Sequence, residues 1–293
     1  MSTKLKDWTV LSMLEWGTEY FKERGIPDPR LSIEWLLAEV LQVKRLDLYL
    51  KFDRPLSQSE LDAIRPLVKK RASHEPLQYI LGYTNFMNAQ ISVTPDVLIP
   101  RIETEQLVEI LLDDHPADDL SEAKKVIDIG TGSGCIPIAL KMERPNWQID
   151  ALDISEEALR IARKNAESNE VEITFMQGDI LEWKKLPVEK TYDIVISNPP
   201  YVLPEEKDEL EEQVVNHEPS LALFCENLEN MYGSVINFSE NYLQDRGMLC
   251  LEVHEKHGER IKQLFDDTRW ETSLLKDYDK NPRFIIAKLA KQA

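Results

Sequence analysis

The segment Val126-Ile127-Asp128-Ile129-Gly130-Thr131-Gly132-Ser133-Gly134-Cys135 puts three glycines within five residues, directly after an apolar run. Ile136–Lys141 then continues with helical spacing. Glycine lets a backbone approach a ligand closely, and the first turn of a helix offers N–H groups that no carbonyl has claimed. A plain tight turn would use the same residues, but a second feature argues for a ligand. Asp153 ends the next apolar run, where a carboxylate suits the hydroxyls of a ribose. A dinucleotide fingerprint would place its third glycine at position 135, and this chain has Cys135 there. The observed G-x-G-x-G spacing fits a mononucleoside such as S-adenosylmethionine better than a pyrophosphate.

Two further groups fall where the same pocket would lie. Gln177-Gly178-Asp179-Ile180 follows a third apolar run; Asp179 could bond an adenine amino group while Ile180 packs on the ring, although Asp179 would serve equally as a helix cap. Ser197-Asn198-Pro199-Pro200-Tyr201 follows a fourth run. The Asn198 side chain and the Pro199 carbonyl can each accept a hydrogen bond from a planar NH₂ group. Pro199 and Pro200 stiffen the turn, and Tyr201 offers an aromatic wall. Holding both N–H bonds aims the nitrogen at a neighbouring electrophile, which is catalysis by orientation. Elsewhere such a tetrapeptide is simply a rigid turn; after the fourth strand of a sheet with this glycine loop it reads as functional.

The elements that must position these groups are short apolar strands alternating with helical stretches. The strands are expected at 126–129, 149–152, 173–176, 194–196, 248–253 and 284–287, with helices such as 156–168 and 231–242 between them. This rhythm predicts a parallel sheet covered on both faces, with ligands beyond the carboxyl ends of its strands. Residues 1–80 instead read as helices. Trp8, Val10, Leu11 and Leu14 recur at helical spacing, as do Leu31, Ile33, Leu36, Leu37, Val40 and Leu41. Asp28-Pro29 marks the turn between them, and Ser57 with Glu60 forms a capping box that opens a third helix containing Pro66. Between the two parts, 93–101 reads as extended chain or a short hairpin, and 103–112 as a helix. The expected domains are thus 1–80 helical, 81–112 a linker, and 113–293 catalytic.

The chain has 293 residues, 42% of them hydrophobic and 30% charged, with a net charge of −18, which is a globular balance. Residues 1–80 hold 13 Lys/Arg and 12 Asp/Glu, a net of +1, whereas 81–293 hold 22 and 41, a net of −19. A catalytic part this acidic speaks against a protein that grips duplex nucleic acid. No apolar run reaches the ~18 residues needed to span a bilayer, and the first residues lack the pattern of a signal peptide. Cys135, Cys225 and Cys250 are far apart and odd in number, which argues against a disulfide framework and a zinc site. A cytoplasmic location is the expectation.

Taken together the motifs resemble the N5-glutamine methyltransferases of peptide chain release factors, the PrmC/HemK family, over essentially the whole chain. The helical domain, Glu75-Pro76-Leu77-Gln78-Tyr79-Ile80-Leu81-Gly82, the link Val97-Leu98-Ile99-Pro100-Arg101-Ile102-Glu103-Thr104-Glu105, the glycine loop and Asn-Pro-Pro-Tyr occur in family order. The resemblance implies a Rossmann-like class I S-adenosylmethionine-dependent α/β domain preceded by a small helical one. It implies that Gly130, Thr131, Gly132, Ser133, Gly134, Asp153, Asp179, Ile180 and Asn198 hold the cofactor. Asn198, Pro199, Pro200 and Tyr201 would hold the substrate amide, with Asn198, Pro199 and Tyr201 carrying the catalysis. The implied partners are class 1 release factors, through the glutamine of a Gly-Gly-Gln tripeptide. Four positions depart from the family pattern: Ile102 replaces a proline and would loosen its turn, Asn227 replaces a glycine, and His254 and His257 stand where Gly and Gln are common.

His217, His254 and His257 are given no catalytic role, because a charged sulfonium donor requires neither a metal nor a strong base. Cys135 reads as a small packing residue. The competing readings are a glutamine methyltransferase of a ribosomal protein, an exocyclic-amine methyltransferase of DNA adenine or RNA guanine, and a non-catalytic binding module. A base-flipping enzyme should carry a basic channel, which the −19 part lacks. An intact glycine loop beside an intact Asn-Pro-Pro-Tyr speaks against a mere binding module.

Overall fold

Capping residues start the helices of the N-terminal part where the sequence puts them. In the computed structural model, which describes residues 8–115, 123–188 and 191–290, Thr9 caps α1 (Val10–Lys22) by accepting from Ser12 N at 3.2 Å. Pro29, with its φ already helical, opens α2 (Pro29–Leu41). Ser57 and Glu60 form the expected capping box of α3 (Gln58–Ala72), Glu60 Oε2 accepting from Ser57 N at 2.8 Å. Pro66 does not break this helix. Ile64 and Val68 on either side of it are buried, and their packing offsets the missing hydrogen bond. A short α4 (Leu77–Leu81) ends at Gly82, whose φ of +83° a side chain would strain.

The chain then enters a hairpin, β1 (Tyr83–Phe86) and β2 (Ala89–Ser92). Residues 93–101, expected as extended chain or a short hairpin, form an irregular strap; Pro95 and Pro100 have no N–H to give a ladder. The short hairpin expected in the 81–112 linker is present, but it lies ahead of 93–101, because its Met87-Asn88 turn lacks glycine and Met87 takes a φ of +48°. After α5 (Ile102–Asp114) come β3 (Lys125–Ile129), α6 (Cys135–Glu143), β4 (Gln148–Asp153), α7 (Glu156–Ser168), β5 (Thr174–Gln177) and β6 (Tyr192–Ser197). These are followed by α8 (Glu212–His217), α9 (Ser220–Leu223), α10 (Leu228–Tyr242), β7 (Leu243–Glu252), α11 (Gly258–Lys262), β8 (Trp270–Lys276) and β9 (Pro282–Leu289).

Seven strands form one sheet in the order β5-β4-β3-β6-β7-β9-β8. The first five run parallel, and β9 lies antiparallel between β7 and β8. Ile194, Val195 and Ile196 of β6 are all buried, as a central strand covered on both faces requires. Helices α5, α6 and α7 pack in succession, while α10 packs on β7, α11 and the turn at 180–185. Strand β8 was not foreseen. Only Trp270 of its seven residues is buried, so this edge strand shows no apolar run.

The described residues fall into two units. One runs to Gly82 and also takes in α8; the other holds Tyr83–Glu211 and everything from Glu218 onward. In the first unit, Arg71 donates to Ser32 Oγ at 3.1 Å and to Gln213 Oε1 at 3.0 Å, so a residue of α3 holds α8. Its core is built on Val10, Leu14, Phe21, Ile33, Leu36 and Leu37. No helix among the described residues is long and apolar enough to cross a membrane.

Candidate functional site

The chain builds outward from β3 to β5 and then crosses back to place β6 on the other side of β3, which leaves a gap above the carboxyl ends of the strands, between the turns that follow β3, β4, β5 and β6. In that gap lies a cavity of about 520 Å³. Gly130, Gly132, Asp153, Asp179, Ile180, Asn198, Pro199 and Pro200 line it, so eight of the expected residues meet at one wall. Thr131, Ser133, Gly134 and Tyr201 do not reach that wall.

The two ends of the glycine loop do different things. Gly130 has φ +76°, and a Cβ there would point toward the Asn198 carbonyl 3.9 Å away, across the cavity mouth. Gly134 has φ +81°, and a Cβ there would press to 3.0 Å on Ala162 of α7. The first glycine opens the cradle; the last lets α6 pack. Asp153 braces the loop, Oδ2 accepting from Gly132 N at 2.7 Å and Oδ1 from Ser155 N at 2.9 Å. Burial raises its pKa against the pull of these N–H groups. Asn165, fully buried on α7, ties the loop from behind, donating to Ser133 O at 2.9 Å and to Ser92 O at 3.0 Å.

Asp128 lies just before the loop and is fully buried; its carboxylate lies beside the Thr131 hydroxyl, and neither group has a further hydrogen-bond partner among the described residues. Burial pushes the Asp128 carboxyl up to about 7, with the Thr131 hydroxyl opposing and Asp153 adding to the rise. The cavity wall carries Asp96, Asp153, Glu157 and Asp179 and, among the described residues, no Lys, Arg or His. Such a lining attracts a cation and repels a phosphate. The remaining wall is largely apolar, with Val97, Leu98, Ile154, Leu181 and Leu221. Asp179 both faces the cavity and accepts from Leu181 N at 2.8 Å, so the capping and the ligand-facing positions coincide. The Cys135 thiol, pushed up to about 12 first by burial, is a packing group.

The Asn198 turn is fixed from beneath. Ser197 Oγ donates to Ile129 O at 2.7 Å, joining the ends of β6 and β3. Asn198 Nδ2 donates to Thr104 Oγ1 at 3.0 Å, and Thr104 in turn donates to Glu252 Oε2 at 2.7 Å. Tyr201 Oη donates to the other oxygen, Glu252 Oε1, at 3.3 Å. Thr104 is 3% exposed and Glu252 1%, so the bond between them is closed to water. With its N–H engaged behind, Asn198 presents Oδ1 as an acceptor. Burial pushes Glu252 up to about 7, against the Thr104 hydrogen bond and the charge of Arg283. Burial and the neighbouring Glu252 charge raise Tyr201 well above an ordinary phenol.

The strap at 93–101 forms another wall. Glu218, buried between it and α9, accepts from Ile99 N at 3.1 Å and pairs with Arg101. Ile102 is the first residue of α5, 65% exposed, with Arg101 in extended backbone at the N-cap position. Asn227 is likewise explained as the N-cap of α10, accepting from Asn230 N at 2.7 Å. Sequence reasoning missed Thr104, Asn165, Glu218 and Glu252 as parts of the site. Thr104 and Arg101 were visible only as members of the link motif, and Glu252 only as a residue at the end of a strand.

Residues 12–82 match the family described as PrmC N-terminal domain, and 103–221 match the methyltransferase small domain. A release factor glutamine methyltransferase of Chlorobaculum tepidum is 36% identical over 283 residues, covering 95% of this chain and 96% of that one. Another, from Geobacter sulfurreducens, is 37% identical over 271 residues, 92% of each. A third, from Flavobacterium psychrophilum, is 38% identical over 258 residues, 87% of this chain and 90% of its own.

The chain belongs to the release factor glutamine methyltransferase family. Its α/β unit is a class I methyltransferase domain, and a helical domain of the PrmC N-terminal type precedes it. The family assignment accords with the order of the link, the glycine loop and Asn-Pro-Pro-Tyr. It also accords with an acidic cavity that favours a positively charged nucleoside over a nucleotide.

Proposed function

We propose that this protein methylates the side-chain amide nitrogen (N5) of the glutamine in the Gly-Gly-Gln tripeptide of class 1 peptide chain release factors. The observation that carries this reading is the placement of Asn198. Its amide N–H is spent on Thr104, while the residue itself lines an acidic cavity behind the glycine loop. S-adenosylmethionine, when bound, supplies a methyl group on a positively charged sulfur. Asp153 would hold the ribose hydroxyls, Asp179 the adenine amino group, and Ile180 with Leu181 an adenine face. Gly130 and Gly132 give the backbone room for close approach, and the carboxylates around the cavity balance the positive charge.

Asn198 Oδ1 and the Pro199 carbonyl accept the two N–H bonds of the glutamine amide. This fixes the amide plane and turns the nitrogen toward the cavity. Pro199 and Pro200 keep the two acceptors from drifting, and orientation of this kind supplies much of the rate enhancement. The nitrogen gains a methyl and gives up one proton; the two acceptor oxygens are the nearest groups to receive it before water does. Tyr201 acts from behind. Its hydroxyl is tied to Glu252 and its ring lies edge-on to His254, centroids 5.8 Å apart, so it buttresses the turn.

The near-neutral helical unit would provide a second contact with the release factor, away from the glutamine. The charge contrast of +1 against −19 supports this division of labour. The test is methyl transfer from labelled S-adenosylmethionine to a release factor, a ribosomal-protein mixture and bulk nucleic acid. The site of the label is then found by mass spectrometry. A methyl on the Gly-Gly-Gln glutamine is expected; label on a ribosomal protein or a nucleic acid instead would overturn the proposed substrate.

A further inference from the structure

Glu206, His254 and His257 converge although two segments supply them, and the methylation chemistry uses none of the three. One nitrogen of each imidazole and one carboxylate oxygen lie within 4.8 Å of one another, the only such three-residue group of His, Cys, Asp and Glu among the described residues. The backbone builds the cluster. His257 N donates to His254 O at 2.9 Å, a turn just beyond β7 that brings both rings to one side, their centroids 5.3 Å apart. Glu206 sits in the short helix Pro204–Glu209, where one carboxylate oxygen, Oε2, accepts from Leu203 N at 3.0 Å. The other, Oε1, lies 2.9 Å from His257 Nε2.

We propose that Glu206, His254 and His257 bind one divalent transition-metal ion of the zinc class, clipping the segment after Asn198–Tyr201 to the turn beyond β7. Two imidazoles and a carboxylate are a donor set that such ions accept, with water completing the shell. Metal–donor bonds near 2.0–2.2 Å need donor atoms about 3–3.5 Å apart, which small side-chain rotations from the present arrangement would reach. All three residues are half-buried. Uptake would exchange two present contacts for coordinate bonds: the His257–Glu206 hydrogen bond, and the 3.2 Å approach of Lys256 N to His254 Nδ1.

The cysteines do not compete, since Cys135, Cys225 and Cys250 are all buried. Because His254 lies edge-on to Tyr201, a bound ion would stiffen the back of the Asn198 turn. The site does not depend on the identity of the methyl acceptor.

The experiment is equilibrium dialysis of the full-length, chelator-treated protein against zinc alone, with thermal unfolding in parallel and cobalt absorption as a report on geometry. Saturation at one ion per chain and a raised midpoint with zinc are expected. Loss of even an outer-sphere partner weakens metal sites about 10–100-fold, so removing both imidazoles (H254A with H257A) should weaken binding by about 100-fold or more. Glu206→Gln, which keeps the hydrogen bond to Leu203 N, should weaken it less, and covers the case in which the double variant does not fold. Without metal, E206Q should melt within a few degrees of the wild type; with zinc only the wild type should rise fully. Uptake that does not saturate at one ion, or uptake that these substitutions leave unchanged, would overturn the proposal and leave the cluster as an ion pair.

Discussion

Thr104 and Glu252, 148 positions apart in the chain, share a buried hydrogen bond of 2.7 Å, and this contact decides which way Asn198 points. Thr104 gives its one hydroxyl proton to Glu252 and so meets the Asn198 amide as an acceptor only. Asn198 accordingly meets this pair through its NH₂, with Nδ2 donating to Thr104 Oγ1 at 3.0 Å. The Asn-Pro-Pro-Tyr turn is thus braced by a helix and a strand on which no part of its own motif lies.

Asn198→Ala is expected to reduce methyl-transfer kcat on the order of 100-fold or more, since the acceptor that orients the nucleophile is gone. Cofactor affinity should fall by no more than about 10-fold, the size of one hydrogen bond. Steady-state kinetics beside direct cofactor titration separate the two effects. Near-normal turnover would show that the Asn-Pro-Pro-Tyr turn is structural only.

Thr104→Val keeps the volume and removes both hydrogen bonds. A net loss of one to two hydrogen bonds predicts about a 10-fold drop in kcat. The KM for cofactor should stay nearly constant, because Thr104 does not line the cavity. Thr104→Ser should restore most of the rate. A drop in KM terms alone, or no rescue by serine, would mean that Thr104 only packs.

Glu252 gives a pH dependence whose sign can be worked out. Its folded pKa of about 7 lies above the ordinary value of 4.5, so the folded chain holds this proton more tightly than the unfolded chain. The corresponding stability is fully present below about 4.5 and is lost as pH rises through about 7. Asp128, also pushed up to about 7, acts in the same direction. Replacing Glu252 with Gln should therefore flatten the fall in unfolding free energy across this window, measured by urea titrations at stepped pH. An unchanged slope would show that Glu252 titrates as an ordinary carboxylate.

Glu218→Gln leaves one oxygen for Ile99 N but removes the charge opposite Arg101. Hydrogen bonds to charged groups contribute about 1.5–3 kcal/mol, and a loss of that order is expected in denaturant unfolding. Because the strap carries Val97 and Leu98 into the cavity wall, the KM for cofactor should rise more than kcat falls. Equal effects on both parameters would place Glu218 outside cofactor binding.

Much of this protein is written in local sequence, and the physical reason is that the signals concerned are short-range. The glycine loop, the capping box at Ser57 and Glu60, α7 at Glu156–Ser168 and the central parallel strands follow from backbone freedom, caps and apolar spacing within a few residues. The mononucleoside reading of the loop rested on one residue, Cys135, in place of a glycine. Edge strand β8 and the hairpin at Tyr83–Ser92 lacked such signals, because one exposes most of its side chains and the other turns on Met87 rather than glycine.

What the sequence left open is everything that depends on side chains meeting across the sheet. The order β5-β4-β3-β6-β7-β9-β8 puts Thr104 of α5 beside Glu252 of β7, and Glu218 beneath the strap. It ties Tyr201 to Glu252 of β7, and it gathers Glu206, His254 and His257 from either side of α10. None of these pairings has a spacing rule, because the intervening chain can be of any length once the strands have paired. The residue types that do the chemistry are legible in the linear sequence; their orientation is settled only when the fold closes around them.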